Sequence, residues 1–334
     1  MKPRIALLYG GASKEHDVSV MGYDYVSKLL DTEKYEILPV YIERSGRWSV
    51  TIKNRSVTAH PTSNMGGSLY TVYGFIKIDA AIPLLHGDGG EDGSIQGMLE
   101  CCGIKYVGAS VAASAVCIDK VYTKAIAEYI GIPTLRHVAF SSPTDTDEAL
   151  SLCIQRIGIP MFVKPRCLGS SVGAFPIYSA DDFKKHFPAS MNDGGNYVMV
   201  EPMLKNKREL ECAFCEIGGK RVITPPAEVR SNGFYSYGDK YSRDTPTDEE
   251  ADIPDDVKDK VIGYSRLLAD AVGLRHLGRI DFFLSEGRVY FNEINTFPGF
   301  TNNSLYPKML MYSGIDPKAA LDGFLEDAIG GRTL

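Results

Sequence analysis

Residues 279–300 read RIDFFLSEGRVYFNEINTFPGF, two apolar runs joined by a short polar turn. The acids and the amide inside those runs decide how the chain is read. Alternate residues of a strand share a face, so Arg279 and Asp281 point one way, and Glu293 and Asn295 also point together. A turn at Ser285–Arg288 makes the two runs a β-hairpin. Given a three-residue loop or a bulge, the odd positions of both strands fall on one face. Asp281 then stands opposite Glu293, and Phe283 and Phe291 share that face. Facing carboxylates without a cation repel one another, whereas two carboxylates and an amide oxygen are the hard ligands that Mg²⁺ takes. A half-exposed hairpin with a polar face is the plain alternative, and the two phenylalanines weigh against it.

Composition bounds the rest. The chain has 334 residues, 44% hydrophobic and 23% charged, an ordinary globular mix whose length suggests about two or three domains. A net charge of −6 and a pI near 5.6 show no basic surplus, which argues against nucleic-acid binding. No apolar run approaches the ~18 residues of a membrane span. The start, MKPRIALLYGGASKE, has a short apolar stretch that runs into glycines and charges, so it reads as a first strand and not a signal peptide. Seven cysteines, an odd number without matched CxxC pairs, read as buried free thiols in the cytosol. Cys212 and Cys215 lie in the strand-like LECAFCEI, on opposite faces.

Strands at RIALLYG (4–10), YEILPVYI and DAAIPLLHG (79–87), with helices at about 17–30 and 94–102, indicate a parallel α/β layer over the first ~117 residues. A helix at 119–130 opens a new section, followed by LRHVAF, a helix at about 147–157 and the strand MFVKP. GSSVGAFPI, YVMVEPM and RELECAFCEI read as antiparallel strands, the last turning at Gly218–Gly219 into KRVITP. Residues 228–254 lack apolar periodicity, which in a compact protein means a lid or a disordered segment. An amphipathic helix at 255–272, the hairpin and a terminal helix complete the chain.

Three loops carry candidate chemistry. In MFVKPRCLGSSVGA (161–174), Gly169, Ser170, Ser171 and Gly173 can offer N–H groups and hydroxyls to a phosphate, with Lys164 adding positive charge. Neither G-x-x-x-x-G-K-[ST] nor G-x-G-x-x-G occurs. HGDGGEDG (86–93) follows a strand and precedes a helix, where open α/β sheets bind ligands. Asp92 complements the helix start, while His86 is either a satisfied structural histidine or a ligand contact. GGASKEHD (10–17) has the same form, with Ser13 explained by capping and Glu15 beside it. Together the last two loops suggest a small polar substrate.

Taken in order, GGASKE, HGDGGEDGSIQG, CIDK, VKPRCLGSSVG, VMVEPML, REL, FYSYGDKY, GRIDFF and FNEINTFPGFTNNSLYP resemble the D-alanine–D-alanine ligases of the ATP-grasp superfamily. The resemblance runs from residue 4 to about 310, and NEINTFPGFT and GSSVG are its most specific pieces. It implies a three-domain α/β ATP-grasp fold: a substrate-binding domain at 1–117, a central ATP-grasp domain at 118–204, and a C-terminal one at 205–334. ATP would lie between two antiparallel sheets, with Lys120 and Lys164 on its phosphates and the GSSVG loop, Ser171 included, folded over them. Glu201 and the backbone near Met203 and Leu204 would bind adenine, and Glu209 the ribose. Asp281, Glu293 and Asn295 would hold two Mg²⁺ ions, for which Mn²⁺ could substitute. Glu15, with His86 nearby, would take the ammonium of the first D-alanine. Ser170 and Tyr241 would join Glu15 in a triad that shuts the lid, and Lys240 would touch the γ-phosphate. Arg279 and the Gly299 N–H would stabilise the oxyanion, while Ser304 and Leu305 receive the second D-alanine.

The implied activity is ATP-dependent formation of D-alanyl-D-alanine for peptidoglycan by a cytoplasmic homodimer, with no nucleic-acid or membrane partner. A D-alanine–D-serine or D-lactate ligase of the same fold is the nearest rival. A non-catalytic ATP-binding regulator is countered by the intact Lys120, Lys164, Arg279, Asp281, Glu293 and Asn295. A nicotinamide dehydrogenase fails on the missing fingerprint. Two departures stand out from the family pattern: Cys167 and Leu168 in the phosphate loop, where Cys167 reads as a side chain facing away, and the insertion-like KNKRE (205–209).

Overall fold

The structure is a computed structural model, and it describes residues 2–170, 172–230 and 247–330. The hairpin forms as Leu277–Ser285 and Arg288–Asn295. Its turn is two residues long: Glu286 and Gly287 both have positive φ, 50° and 74°, and Ser285 pairs with Arg288. So tight a turn pairs odd residues with even ones. A bulge then shifts the register between Asp281 and Phe282, so that Phe282 faces Phe291 but Asp281 faces Glu293. Asn292 is the extra residue. The bulge, and not a longer loop, sets the two carboxylates opposite. It also corrects the expectation for Phe291, which leaves the acidic face and packs edge-on against Phe282 in the core, ring centroids 6.0 Å apart.

The hairpin belongs to a six-stranded sheet in the order Thr247–Asp248, Ala227–Val229, Arg208–Ile217, Leu277–Ser285, Arg288–Asn295, with Lys220–Ile223 also paired to Arg208–Ile217. The ends of the aperiodic 228–254 stretch are therefore strand, with Glu228 paired to Asp248. Its middle, with Lys240 and Tyr241, lies outside the described residues, as does Ser171. On one face of the sheet, Leu210, Cys212, Phe214, Ile280 and Phe282 pack on Val261 and Leu268 of the helix Asp255–Val272. On the other, Ala213, Cys215 and Leu277 join a core with Ile5, Leu7, Ile82, Tyr306 and Phe324. Cys212 and Cys215 thus sit in different cores, as strand alternation requires.

Near the N-terminus, Arg4–Gly10 runs parallel to Glu36–Ile42 and Ala80–Pro83. Among the described strands only these three pair in parallel, with an isolated parallel bridge from Ala81 to Tyr106 beside them. Trp48–Ile52 and Arg55–Thr58 extend the sheet antiparallel, and His60–Thr62, Ser68–Thr71 and Gly74–Lys77 make a separate antiparallel sheet. The parallel layer expected here is thus present and is extended by antiparallel strands that the sequence reading did not name. The connections in this stretch are too short for crossover helices; the Lys53–Asn54 turn, at φ 51° and 61°, can only make a hairpin.

The third large element is a four-stranded sheet, Phe175–Ile177, Met161–Pro165, Val198–Pro202, Val138–Phe140, antiparallel throughout. Leu150, Phe183 and Phe187, from the helices Thr146–Arg156 and Ala180–Asp193, cover its outer face. Gly169, Ser170, Val172 and Gly173 are loop and not strand, with Ser170 at φ 51°. The helices Val111–Ile118 and Ala180–Asp193 go beyond the sequence reading, and the single terminal helix it expected is a pair, Leu305–Tyr312 and Pro317–Gly330.

Candidate active site

A cleft of ≈ 550 Å³ separates the inner face of the four-stranded sheet from that of the six-stranded one. Strand alternation selects its lining. Met161 and Val163 point into the core behind the sheet, so Phe162 and Lys164 face the cleft, joined by Glu201 of the neighbouring strand. Across from them stand Glu209, Glu211, Asp281, Phe283, Asn292 and Glu293, and Met203 and Leu204 close one end.

Lys120 enters from the helix Lys120–Tyr129, whose start is tied to Arg166 and Leu168, just after the strand Met161–Pro165. Asp119 caps the helix, its Oδ1 accepting the Val121 N–H at 2.9 Å, and its Oδ2 accepts from Arg166 Nη2 at 2.6 Å. The Lys120 ammonium donates to the Leu168 carbonyl at 2.8 Å and lies 3.1 Å from the Glu293 carboxylate. Burial works against its charge, but Glu293 outweighs burial and raises its pKa. Lys164 Nζ donates to Glu201 Oε1 at 2.6 Å and to Asn292 Oδ1 at 3.4 Å. Burial, with Lys124 and Lys120 nearby, lowers the Lys164 pKa against the pull of Glu201. Burial alone would raise Glu201, yet Lys124 and Lys164 hold it at about 2. Lys120, Lys124 and Lys164 thus cluster around Glu201, while the facing wall of the cleft carries Glu209, Glu211, Asp281 and Glu293.

The acidic patch is held from the side. Arg279 makes a two-pronged contact with Asp281, at 2.8 and 2.7 Å, and its Nε lies 2.9 Å from Glu211 Oε2. Burial opposes the guanidinium charge, but Asp281 and Glu211 prevail. Asn295 Nδ2 donates to Asp281 Oδ2 at 3.0 Å.

Glu15 lies where Gly169 and Ser170 meet the loop that follows Ala80–Pro83. The Ser170 hydroxyl donates to Glu15 Oε1, joining residues 155 positions apart. Ser13, expected as a helix cap, is not one, since the N-cap is Glu15 without a side-chain bond; its Oγ instead donates to the His86 carbonyl at 2.7 Å and ties the loops after Arg4–Gly10 and Ala80–Pro83 together. His86 is buried, and burial lowers its pKa against the opposing Glu15 charge. Glu91 accepts the Gly87 N–H at 2.9 Å and the Phe297 N–H at 3.3 Å. Burial, reinforced by Glu15, pushes its carboxyl up to about 8. Ser304 Oγ accepts the Thr301 N–H at 3.0 Å and lies 3.1 Å from where a Cβ on Gly299 would sit.

The residues expected around the nucleotide thus meet: Lys120, Lys164, Ser170, Glu201, Met203, Leu204, Glu209, Asp281 and Glu293 all border one cleft. Asn295 borders a smaller adjoining cavity with Glu91, Lys120 and Glu293. His86 sits on the loop beside Glu15, Gly299 and Ser304 lie together after Phe297, and none of the three lines the cleft. Leu305 is 9% exposed and belongs to the core shared with Phe300 and Tyr306, so its side chain is not brought to the cleft. Cys167 does not line it either, and burial pushes that thiol up to about 11. Sequence reasoning passed over Asn292, which the bulge alone brings to the cleft, over Glu211, and over Lys124. The signal for Lys124 was its spacing of four from Lys120 on one helix.

Two family models match the chain: "D-ala D-ala ligase N-terminus" over residues 4–109 and "D-ala D-ala ligase C-terminus" over 126–326. A D-alanine–D-alanine ligase of Solibacter usitatus is 36% identical over 332 residues, covering 98% of this chain and 96% of its own. Among solved structures, D-alanyl-alanine synthetase A of Vibrio cholerae superposes with a TM-score of 0.89 at 32% identity, covering 99% of both chains. The VanG D-Ala:D-Ser ligase of Enterococcus faecalis gives 0.87 at 27% identity, over 97% of this chain and 99% of that one.

Proposed function

Because the chain belongs to the D-alanine–D-alanine ligase family, we propose that the cleft between its two antiparallel sheets is where ATP and two D-alanines meet. The fold is ATP-grasp, and the activity is that of an ATP-dependent D-alanine–D-alanine ligase serving peptidoglycan synthesis. The observation that carries the assignment of roles is the Asp281–Glu293 pair, set opposite by the bulge and met by Lys120 at 3.1 Å.

Adenine would lie against Glu201, and Lys164, expected on the phosphates, is bound to Glu201 at 2.6 Å and so is proposed on the adenine side instead. The Met203 N–H is already donated to the Pro160 carbonyl at 3.2 Å, which leaves backbone recognition from this segment to Leu204. Glu209 faces the ribose. Lys120, with the N–H groups of the Gly169–Ser170 turn, faces the phosphates. Asp281, Glu293 and Asn295 fit two Mg²⁺ ions, or Mn²⁺ in their place. Two carboxylates and an amide oxygen are hard donors that leave room for phosphate oxygens and water, and Asp281 and Glu293 already attract the cations Arg279 and Lys120. When bound, the ions would offset charge on the transferred phosphoryl group.

The carboxylate of the first D-alanine attacks the γ-phosphorus and ADP leaves, giving an acyl phosphate. The free amine of the second D-alanine attacks the acyl carbon, and phosphate departs as the peptide bond forms. Glu15, steadied by Ser170, would hold the first ammonium. Arg279 and the Gly299 N–H would stabilise the tetrahedral oxyanion, and Ser304 beside Gly299 would position the second carboxylate. The domain limits 1–117, 118–204 and 205–334 are proposed with these roles, each supported by a separate sheet. Exposed Tyr70, Val72, Tyr73 and Phe75 on one edge support a homodimer. No described helix is long and apolar enough to cross a membrane, which supports a cytoplasmic setting.

The test is phosphate release from enzyme and MgATP with D-alanine, D-serine and D-lactate in parallel, products identified by mass. D-Alanyl-D-alanine should dominate when D-alanine and D-serine compete equally. An excess of D-alanyl-D-serine would move the assignment to the D-serine ligases.

A further inference from the structure

We propose that Lys124 is a positioning residue for nucleotide recognition: buried behind the cleft wall, it fixes the Glu201 carboxylate as a charged acceptor, so that Glu201 and Lys164 together read the amino edge of adenine. The inference rests on the reading of Glu201 as an adenine contact and adds a residue that touches no substrate.

Lys124 is 0% exposed and does not border the cleft. It follows Lys120 by one helical turn, and its ammonium lies 3.3 Å from Glu201 Oε2. Neither Lys124 Nζ nor Glu201 Oε2 has a hydrogen-bond partner among the described residues, so the two meet as charges without hydrogen-bond geometry. The other carboxylate oxygen accepts from Lys164 at 2.6 Å. One acid is thus stretched between two cations.

A buried ammonium is costly unless paired, and packing alone would be served as well by methionine. What the second cation adds is charge balance. With Lys164 alone, Glu201 would be one half of a closed pair. With Lys124 behind it, the carboxylate stays an acceptor while Lys164 keeps a surplus positive field toward the cleft. A fixed acceptor beside a fixed donor complements adenine, whose edge carries an amino donor at C6 and an acceptor at N7. The charged and titratable groups facing Glu201 are Lys120 and Lys124 from the helix, Lys164 from the neighbouring strand, and His137. Burial disfavours charging His137.

The test compares ATP with purine riboside triphosphate, which lacks only the 6-amino group, so that effects on phosphate and ribose binding cancel in the ratio. The wild-type enzyme should prefer ATP by about tenfold or more in kcat/KM, the scale of one hydrogen bond to a charged group, and by the same ratio at pH 7.5 and 5.5. In Lys124→Met that preference should fall at least about fivefold through KM, with kcat nearly unchanged, and should weaken further toward pH 5.5. Lys124→Arg should retain it. A merely structural lysine would lower activity with both nucleotides equally, and an unchanged ratio in a folded Lys124→Met enzyme overturns the proposal. Should that variant not fold, the wild-type pH comparison decides: a preference that collapses at pH 5.5 shows that Glu201 is not held charged. A wild-type enzyme with no preference at either pH removes the Glu201 reading itself, and Lys124 with it.

Discussion

Gly87 offers the sharpest test of the substrate end, because one added methyl group acts there in a known direction. Its φ is +67°, and a Cβ built on it would lie 2.8 Å from Glu15 Oε2. Ordinary contact begins near 3.4 Å, so Gly87→Ala must push that oxygen about 0.6 Å, the difference of the two distances. Glu15 Oε2 is the far end of a flexible side chain, so the carboxylate yields and not the backbone. The stability cost should therefore be only the left-handed strain of alanine, ~1–2 kcal/mol. Function should suffer more: if a 1 Å displacement costs ~100-fold, 0.6 Å costs about tenfold. Gly46→Ala is the matched control, since φ is +82° there but nothing lies within 4 Å of the added methyl. Steady-state kinetics with D-alanine varied at saturating MgATP should show KM for the first D-alanine rising about tenfold in Gly87→Ala. The same parameter should stay at the wild-type value in Gly46→Ala, with both variants equally destabilised to urea. Equal kinetics for the two variants would refute the placement of Glu15 beside a bound substrate.

Three further outcomes follow from the same geometry. Glu293→Gln removes the partner of Lys120 and one negative charge from the cation patch, so turnover at saturating Mg²⁺ should drop by at least about a hundredfold with the fold intact; near-normal turnover would take Glu293 out of the site. Glu91, raised from an ordinary 4.5 to about 8, keeps its proton in the folded state while the unfolded chain loses it, so its contribution to stability is full below about pH 4.5 and falls as pH rises toward 8. The urea midpoint should decline across that window by an amount equivalent to a few kcal/mol, and Glu91→Gln should flatten the decline; an equal slope in the variant would disprove the assignment. Leu305→Ala should cost ~2–5 kcal/mol as a core deletion yet leave D-alanine/D-serine discrimination unchanged in the folded enzyme, whereas altered discrimination would put Leu305 back in the second subsite.

What the sequence disclosed follows the range of the interactions involved. The hairpin, its facing acids and the lysine before the Gly/Ser loop are patterns a few residues long, set by strand alternation. The bulge was open only as one of two options, because the two-residue turn that demands it shows in φ and not in composition. Asn292 was passed over for the same reason: a strict period of two assigns it to the wrong face. The helix Val111–Ile118 is apolar nearly all round, so it shows no period, and Ala180–Asp193 hides behind Pro188 inside it. Contacts such as Ser170 with Glu15 and Lys124 with Glu201 join distant segments, and no spacing rule reaches across them. Leu305 was assigned to the second subsite by the family resemblance, and its packing with Phe300 and Tyr306 at the start of a helix is a contact that no spacing rule gives.

The core that joins Ile5, Leu7 and Ile82 to Tyr306, Phe324 and Leu325 bears on how the protein is made. Lys34 and Tyr35 are held by Asp322, at 2.7 and 2.6 Å, so the earliest part of the chain is clasped by one of the latest. A ribosome delivers the first sheet long before the helices that cover it. During that interval the apolar back of Arg4–Gly10 has no permanent cover, and domain-by-domain folding in order of synthesis cannot finish with the first domain. The central four-stranded sheet, whose core draws, among the described residues, on 138–200, can close first, while the loops that carry Glu15 and His86 gain a fixed backing only when residues 305–328 emerge.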